Sequence, residues 1–247
     1  MTNIKKKYKS VIIGVGAVAA GYDYPGSREV TTHAHALSIH PRTTLAGLFD
    51  LDLEKAERAA KTWQTRSFAS LSEMFREVRP DIVSVCTPNG THAAILREII
   101  KYRPKLVIAE KPLTTSLADT KKIIELYQKN HISLSVNYRR RFDPVVQKIK
   151  AELSAGKYGA VLGASAIYGK GLLHSGSHMI DLARFLFGEV ISAKALFSRK
   201  DYLARDKTIS AYLTLKHCPA LFLQAADERA FSLFELDIIC ARARIRF

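Results

Sequence analysis

The sequence predicts an α/β protein, a doubly wound parallel sheet followed by an α+β domain with an open, mostly antiparallel sheet. Three observations carry that prediction. Short apolar runs without strict alternation recur through the first half, separated by amphipathic segments, which is the pattern of a parallel sheet covered on both faces. A glycine-rich turn directly follows the first of these runs. After Gly156, strand-like runs follow one another with one strong helical segment among them, which is how an antiparallel sheet reads.

In the first half, strands are expected at Lys9 to Ile13, Thr44 to Phe49, Ile82 to Cys86, Leu106 to Ala109 and Ile132 to Val136. Helices fall between them. Asp52 to Trp63 is amphipathic, Ser70 with Glu73 offers a capping box, Thr91 to Tyr102 supplies another helix, and Ser116 with Asp119 begins the next. Asp143-Pro144 reads as a cap followed by proline at the first helical position, launching a helix to about Ala155. Beyond it, Val161 to Tyr168, Ile191 to Phe197, Ile209 to Leu215, Ala220 to Gln224 and Phe234 to Phe247 read as strands, and His178 to Phe187 as a helix. The expected domains are residues 1–137 and 138–247.

A chain of 247 residues, 47% hydrophobic and 25% charged, suits a soluble globular protein of one large or two modest domains. The net charge of +15 raises a nucleic-acid surface as an alternative. Against it, the basic residues are scattered over helical faces, with no helix-turn-helix, zinc-finger or aromatic RNA-binding pattern. Long-range attraction of an anionic substrate or cofactor accounts for the charge equally well.

Cys86, Cys218 and Cys240 form no CxxC pair and no disulfide framework, so a reducing cytoplasm is expected. Lys5-Lys6-Lys7, the run Val11 to Ala20 and Ala17-Val18-Ala19 imitate a secretion signal, but Gly14 and Gly16 interrupt a stretch without leucine. No apolar run approaches the roughly 20 residues needed to span a bilayer. Neither a membrane nor a nucleic-acid partner is expected.

Gly14-Val15-Gly16-Ala17-Val18-Ala19 is a G-x-G-x-x-A straight after a strand. The first glycine permits a tight turn, the second lets backbone approach a pyrophosphate, and the third small residue lets helix and strand pack closely. The pyrophosphate would sit on a helix N-terminus. Asp50, ending the second strand, is placed to accept hydrogen bonds from an adenosine ribose and repels a 2′-phosphate, which favours NAD over NADP. Its distance from Gly16 exceeds the usual spacing, and Gly21 to Val30 reads as an inserted loop that explains the excess. As an alternative, Asp50 or Asp52 caps the next helix.

Thr87, Pro88, Asn89 and His92 lie in a small, polar turn after the third strand, at the edge where open α/β sheets bind ligands. The plainer reading is a β-turn with Thr91 as a helix cap. Lys111, between Glu110 and Pro112, ends the fourth strand. Beside an oxidised nicotinamide its pKa would fall toward a useful range; otherwise it is a solvated lysine. His174 and His178 stand four apart at the head of a helix. A metal pair is conceivable, but no HExxH is present, and general acid/base work by His178 suits the pattern better. Asp181 would orient its ring or face the helix dipole. Either histidine alone also reads as a structural residue. No metal is expected.

The succession GVGAVA, Asp50, CTPNGTHA, AEKP, VNYRRRFDP and GLLHSGSHMIDLARFLFG resembles the Gfo/Idh/MocA oxidoreductases. The resemblance implies a Rossmann domain followed by an α/β domain on an open sheet, acting on sugars, inositols or nucleotide sugars with NAD(P). It implies that Lys111 contacts the reacting hydroxyl and the cofactor ribose, and that Asn137 lies near the nicotinamide. Tyr138 and Arg139 would lie on the substrate side, and His178 would exchange the hydroxyl proton, converging with Lys111 on one cleft. Many members carry Asp or Asn where this chain has His174, so His174 is expected to alter the proton relay or favour an anionic substrate. Chains of the family commonly run longer. A sheet that stops at Phe247 would leave an edge for another subunit to cover, hence an expected homo-oligomer through the C-terminal sheet.

Three functions follow. The first is an NAD-dependent dehydrogenase or reductase of a sugar or nucleotide sugar, with surface-polysaccharide metabolism as its setting by analogy. The second is a non-catalytic dinucleotide-binding remnant of such an enzyme. The third, a nucleic-acid binder, rests on charge alone.

Overall fold

A computed structural model describes residues 7–203 and 205–247. Lys5 and Lys6 of the signal-like pattern lie outside the described residues. The chain divides into two compact units, Met1–Asn137 and Tyr138–Phe247.

The first unit holds a five-stranded parallel sheet. Its strands are β1 (Tyr8–Ile13), β2 (Thr43–Phe49), β3 (Ile82–Val85), β4 (Leu106–Ala109) and β5 (Ser133–Val136), in the order β2-β1-β3-β4-β5. The chain crosses from one side of β1 to the other between β2 and β3. The topological switch point, where such sheets take ligands, therefore lies at the carboxyl ends of β1 and β3. Val11 and Ile13 pack into one apolar cluster and Ile12 into another, so both faces are covered and strict alternation is absent. Helices α1 (His33–Ile39) and α2 (Leu53–Thr62) cover one face; α3 (Leu71–Val78), α4 (His92–Ile100) and α5 (Leu117–Lys129) cover the other.

The caps follow the sequence with small differences. Asp52 accepts from Lys55 N, Ser70 from Glu73 N and Ser116 from Asp119 N. The Glu73 carboxylate reaches back to Ala69 N instead of the Ser70 amide. One expectation needs correction. The segment after the glycine turn is only a π-helical turn, Ala17–Gly21, and the unit's first α-helix starts at His33. The inserted loop separates them, so no long helix points its N-terminus at the glycines.

The second unit carries α6 (Pro144–Ser154), α7 (Ser177–Phe187) and a six-stranded sheet. Its strands are β6 (Val161–Tyr168), β7 (Val190–Arg199), β8 (Thr208–Leu215), β9 (Cys218–Ala225), β10 (Phe234–Cys240) and β11 (Arg244–Arg246), in the order β11-β10-β6-β9-β8-β7. Every pair is antiparallel except β6 with β9. The run Phe234 to Phe247 is a strand pair: it turns between Cys240 and Arg244 and pairs with itself. Val146 and Ile149 of α6, with Met179, Leu182, Leu186 and Phe187 of α7, bury one face of the sheet.

Candidate active site

At the switch point of the first unit, Gly14 adopts φ +86°, and a Cβ there would stand 2.8 Å from Thr87 Cγ2 and 2.9 Å from the Cys86 carbonyl carbon. Only glycine lets the two turns meet. Gly16 differs: nothing lies within 4 Å of a Cβ built on it. Its backbone borders open space, as a pyrophosphate cradle requires. Ala19, the third small position, is fully buried, while Ala17 and Val18 lie in the π turn. Asp50 ties this turn to β2. Its Oδ2 accepts from Val15 N at 2.8 Å and its Oδ1 from Asp52 N at 3.1 Å, each oxygen retaining a second lone pair for a ribose hydroxyl. Asp52, not Asp50, caps α2. These residues fit a dinucleotide.

The turn after β3 departs from expectation in two ways. Thr91 occupies the N-cap position of α4 but makes no side-chain cap bond; its hydroxyl lies 2.8 Å from both Thr87 Oγ1 and the Pro88 carbonyl, and Asn89–Thr91 form a 3₁₀ turn. The His92 ring is fully buried, with Nδ1 2.9 Å from the Pro112 carbonyl and Nε2 2.8 Å from the Thr87 carbonyl. Both ring nitrogens face backbone, so His92 holds the Thr87 turn against the Lys111-Pro112 turn instead of presenting its ring to a ligand.

Lys111 is 9% exposed at the end of β4, which sets aside the reading of a solvated surface lysine. Beside it, Glu110 Oε1 accepts from Asn137 Nδ2 at 2.6 Å and lies 3.0 Å from His33 Nε2. His33 Nδ1 in turn lies 3.2 Å from Ser84 Oγ. Burial alone would push the Glu110 carboxyl up. Hydrogen bonds from His33 and Asn137, with the charges of His33 and Lys111, outweigh that and hold it below the usual carboxylate range. The edge that carries Lys111 thus keeps an ionised carboxylate beside it. His33 and Ser84 carry no motif that sequence reading isolates.

In the second unit, Tyr138 precedes a 3₁₀ turn, Arg139–Phe142, and its ring meets that of His178 edge to face at 5.8 Å. Burial, with the Asp181 charge, pushes the Tyr138 phenol up, so it is a proton-bearing donor at neutral pH. His174 lies in a π-helical turn, Gly171–Gly176, ahead of α7. The Asp206 carboxylate accepts from Leu173 N at 3.0 Å and His174 N at 2.9 Å. That cap, from 32 residues away, was not visible in the sequence. Asp181 is held from another element as well. Arg141 holds it through Nε–Oδ2 and Nη2–Oδ1 bonds of 2.8 and 2.6 Å.

A glycine turn at a switch point, with an acid closing the second strand, defines a dinucleotide-binding Rossmann protein. Residues 8–138 match the Gfo/Idh/MocA oxidoreductase family, NAD-binding Rossmann fold, and the chain belongs to that family. It is 30% identical over 116 residues to UDP-N-acetylglucosamine 3-dehydrogenase of Acidithiobacillus ferrooxidans, a match covering 47% of this chain and 36% of that protein. It is 28% identical over 203 residues to inositol 2-dehydrogenase of Gluconacetobacter diazotrophicus, covering 76% and 58%. The chain thus spans less than two thirds of these relatives' own length. The WlbA dehydrogenase of Bordetella pertussis, solved with NADH and UDP-GlcNAcA, shares the fold with a TM-score of 0.84 at 20% identity, covering 98% of this chain and 73% of that one.

Proposed function

We propose that this chain is an NAD-dependent oxidoreductase that moves a hydride between nicotinamide and a hydroxyl or keto carbon of a sugar or nucleotide sugar. The observation that carries the reading is the buried Lys111, with its ionised neighbour Glu110, on the sheet edge that also bears the open Gly16 turn. The names of the relatives support the substrate class.

NAD supplies the hydride acceptor at nicotinamide C4. Gly16 lets backbone approach the pyrophosphate; Asp50 accepts from the adenosine ribose and disfavours a 2′-phosphate. Ala17, Val18, Thr87, Pro88 and Asn89 line the cofactor through their turns, and Asn137 stands by the nicotinamide. The Lys111 ammonium lowers the cost of negative charge developing on the substrate oxygen, while His178 takes the hydroxyl proton. Tyr138, Arg139 and His174 contact the substrate. We place the protein in the cytoplasm, in keeping with three buried free cysteines; no helix of the described residues is long and apolar enough to cross a membrane. A homo-oligomer through the C-terminal sheet is in keeping with exposed Phe222 and Ile239.

A panel of sugars, cyclitols and nucleotide sugars, assayed for NADH formation, tests the reading. Lys111→Ala and His178→Ala should each abolish turnover while NAD still binds. Undiminished turnover in Lys111→Ala removes that residue from the mechanism. NAD binding with no hydride transfer in the wild type across the panel would favour a non-catalytic dinucleotide-binding protein.

A further inference from the structure

Arg139, Arg140 and Arg141 follow one another through one 3₁₀ turn, yet their side chains meet different surroundings. Arg141 is committed to Asp181, and Arg139 is exposed. Arg140 is half-buried, with its guanidinium carbon 3.8 Å from the centroid of the Phe234 ring. Such stacking occupies the flat face of a guanidinium and leaves its edge donors available. Among the described residues no carboxylate pairs with Arg140, whereas Arg141, Arg184, Arg229, Arg244 and Arg246 of the same unit each have one. Burial, joined by the like charge of Arg139, draws Arg140 below the usual guanidinium range. The fold therefore keeps a partly desolvated cation without the acid that would offset it.

The place of this stack links it to the histidine turn. Phe234 opens β10 opposite Tyr168, the last residue of β6, so both side chains share the sheet face that α7 covers. The Tyr168 ring packs under Gly176, where a Cβ would stand 2.7 Å from its Cε2. Gly176 separates His174 from His178. Tyr138, whose ring meets His178, begins the arginine turn.

We propose that Arg140, held flat on Phe234, is an anion receptor of the substrate site, and that the substrate carries a phosphate or a carboxylate. The inference rests on the oxidoreductase reading above and narrows its substrates to anionic sugars. Two parallel N–H···O bonds from the open edge of a guanidinium suit either group. Because Phe234 already fixes the plane, less side-chain freedom is lost on binding. Exposed Arg139 and the net charge of +15 draw an anion in the same direction.

Calorimetric titration of the full chain tests this, first with NADH alone and then, at saturating NADH, with UDP, glucuronate and uncharged myo-inositol. Wild type is expected to bind at least one anion more tightly than myo-inositol. Arg140→Met keeps an unbranched apolar stem on Phe234 and should weaken that anion about ten-fold or more, with NADH and myo-inositol affinities unchanged. Loss confined to UDP identifies a phosphate, and loss confined to glucuronate a carboxylate. Unchanged anion affinity in Arg140→Met, a wild type that binds neither anion, or one that prefers myo-inositol overturns the proposal while the oxidoreductase reading stands. A wild type that fails to bind NADH removes that reading, and this proposal with it.

Discussion

His33 and Glu110, 77 positions apart, meet through a 3.0 Å contact between Nε2 and Oε1 at the carboxyl edge of the parallel sheet. The carboxyl of Glu110 sits below its usual range. Its stabilising contribution is therefore full above the unfolded-state value of about 4.3 and is lost as pH falls through the folded-state value. Glu110→Gln should flatten the acid limb of the stability profile. His33→Ala should cost about 2 kcal/mol at neutral pH, since it strips a buried carboxylate of a partner. Acid-unfolding curves parallel to wild type in both variants would show that the contact does not hold Glu110.

Asp23 anchors the inserted loop of the first unit. Its carboxylate accepts from the amides of Thr31 and Thr32 and from the Thr32 hydroxyl, and lies 2.9 Å from His35 Nδ1. Burial opposes ionisation, but those hydrogen bonds bring its pKa from 3.8 down to about 2. The stability it supplies is whole above 3.8 and fades as pH drops toward about 2. Asp23→Asn should lower stability by about 2 kcal/mol at neutral pH, with the gap to wild type closing across that window in urea titrations.

Gly171, at φ +86°, faces Asp206 so closely that a Cβ would stand 2.2 Å from Oδ2. Gly171→Ala should destabilise the second unit by about 3 kcal/mol, through strain at positive φ and displacement of the cap. Asp206→Ala removes the acceptor for Leu173 N and His174 N and should lower turnover with NAD affinity intact. A wild-type melting temperature in Gly171→Ala would contradict this packing.

Arg141 and Asp181 form a two-bond pair whose acid is 7% exposed. Arg141→Ala leaves that carboxylate buried alone and should cost about 3 kcal/mol. Arg141→Ala combined with Asp181→Ala should lose less than the sum of the single changes. Strict additivity of the two in denaturant titrations would show that the pair is not coupled.

Legibility in the sequence followed the range of the interactions. Runs such as Val161 to Tyr168 and Leu106 to Ala109 declared themselves because burial on one or two faces sets their pattern locally. Asp52 and Asp143 were readable as caps because a cap answers to amides two or three residues away. Ser84, His33, Glu110 and Asn137 come from four separate elements, and only the folded sheet brings them together. The same holds for Asp206 on the His174 turn and Arg141 on Asp181. The π turn at Ala17–Gly21 eluded the motif because G-x-G-x-x-A specifies small residues and close packing but not how soon the helix breaks.

Calorimetric titration of wild type and Gly16→Val with NAD and NADP decides whether the Gly14–Asp50 turn is an NAD cradle. A Cβ at position 16 meets nothing within 4 Å, so the variant should keep its melting temperature while valine occupies the space meant for the pyrophosphate. Wild type is expected to bind NAD more tightly than NADP, and Gly16→Val to bind neither. NAD bound equally well by the folded variant, or NADP preferred by the wild type, would contradict that expectation.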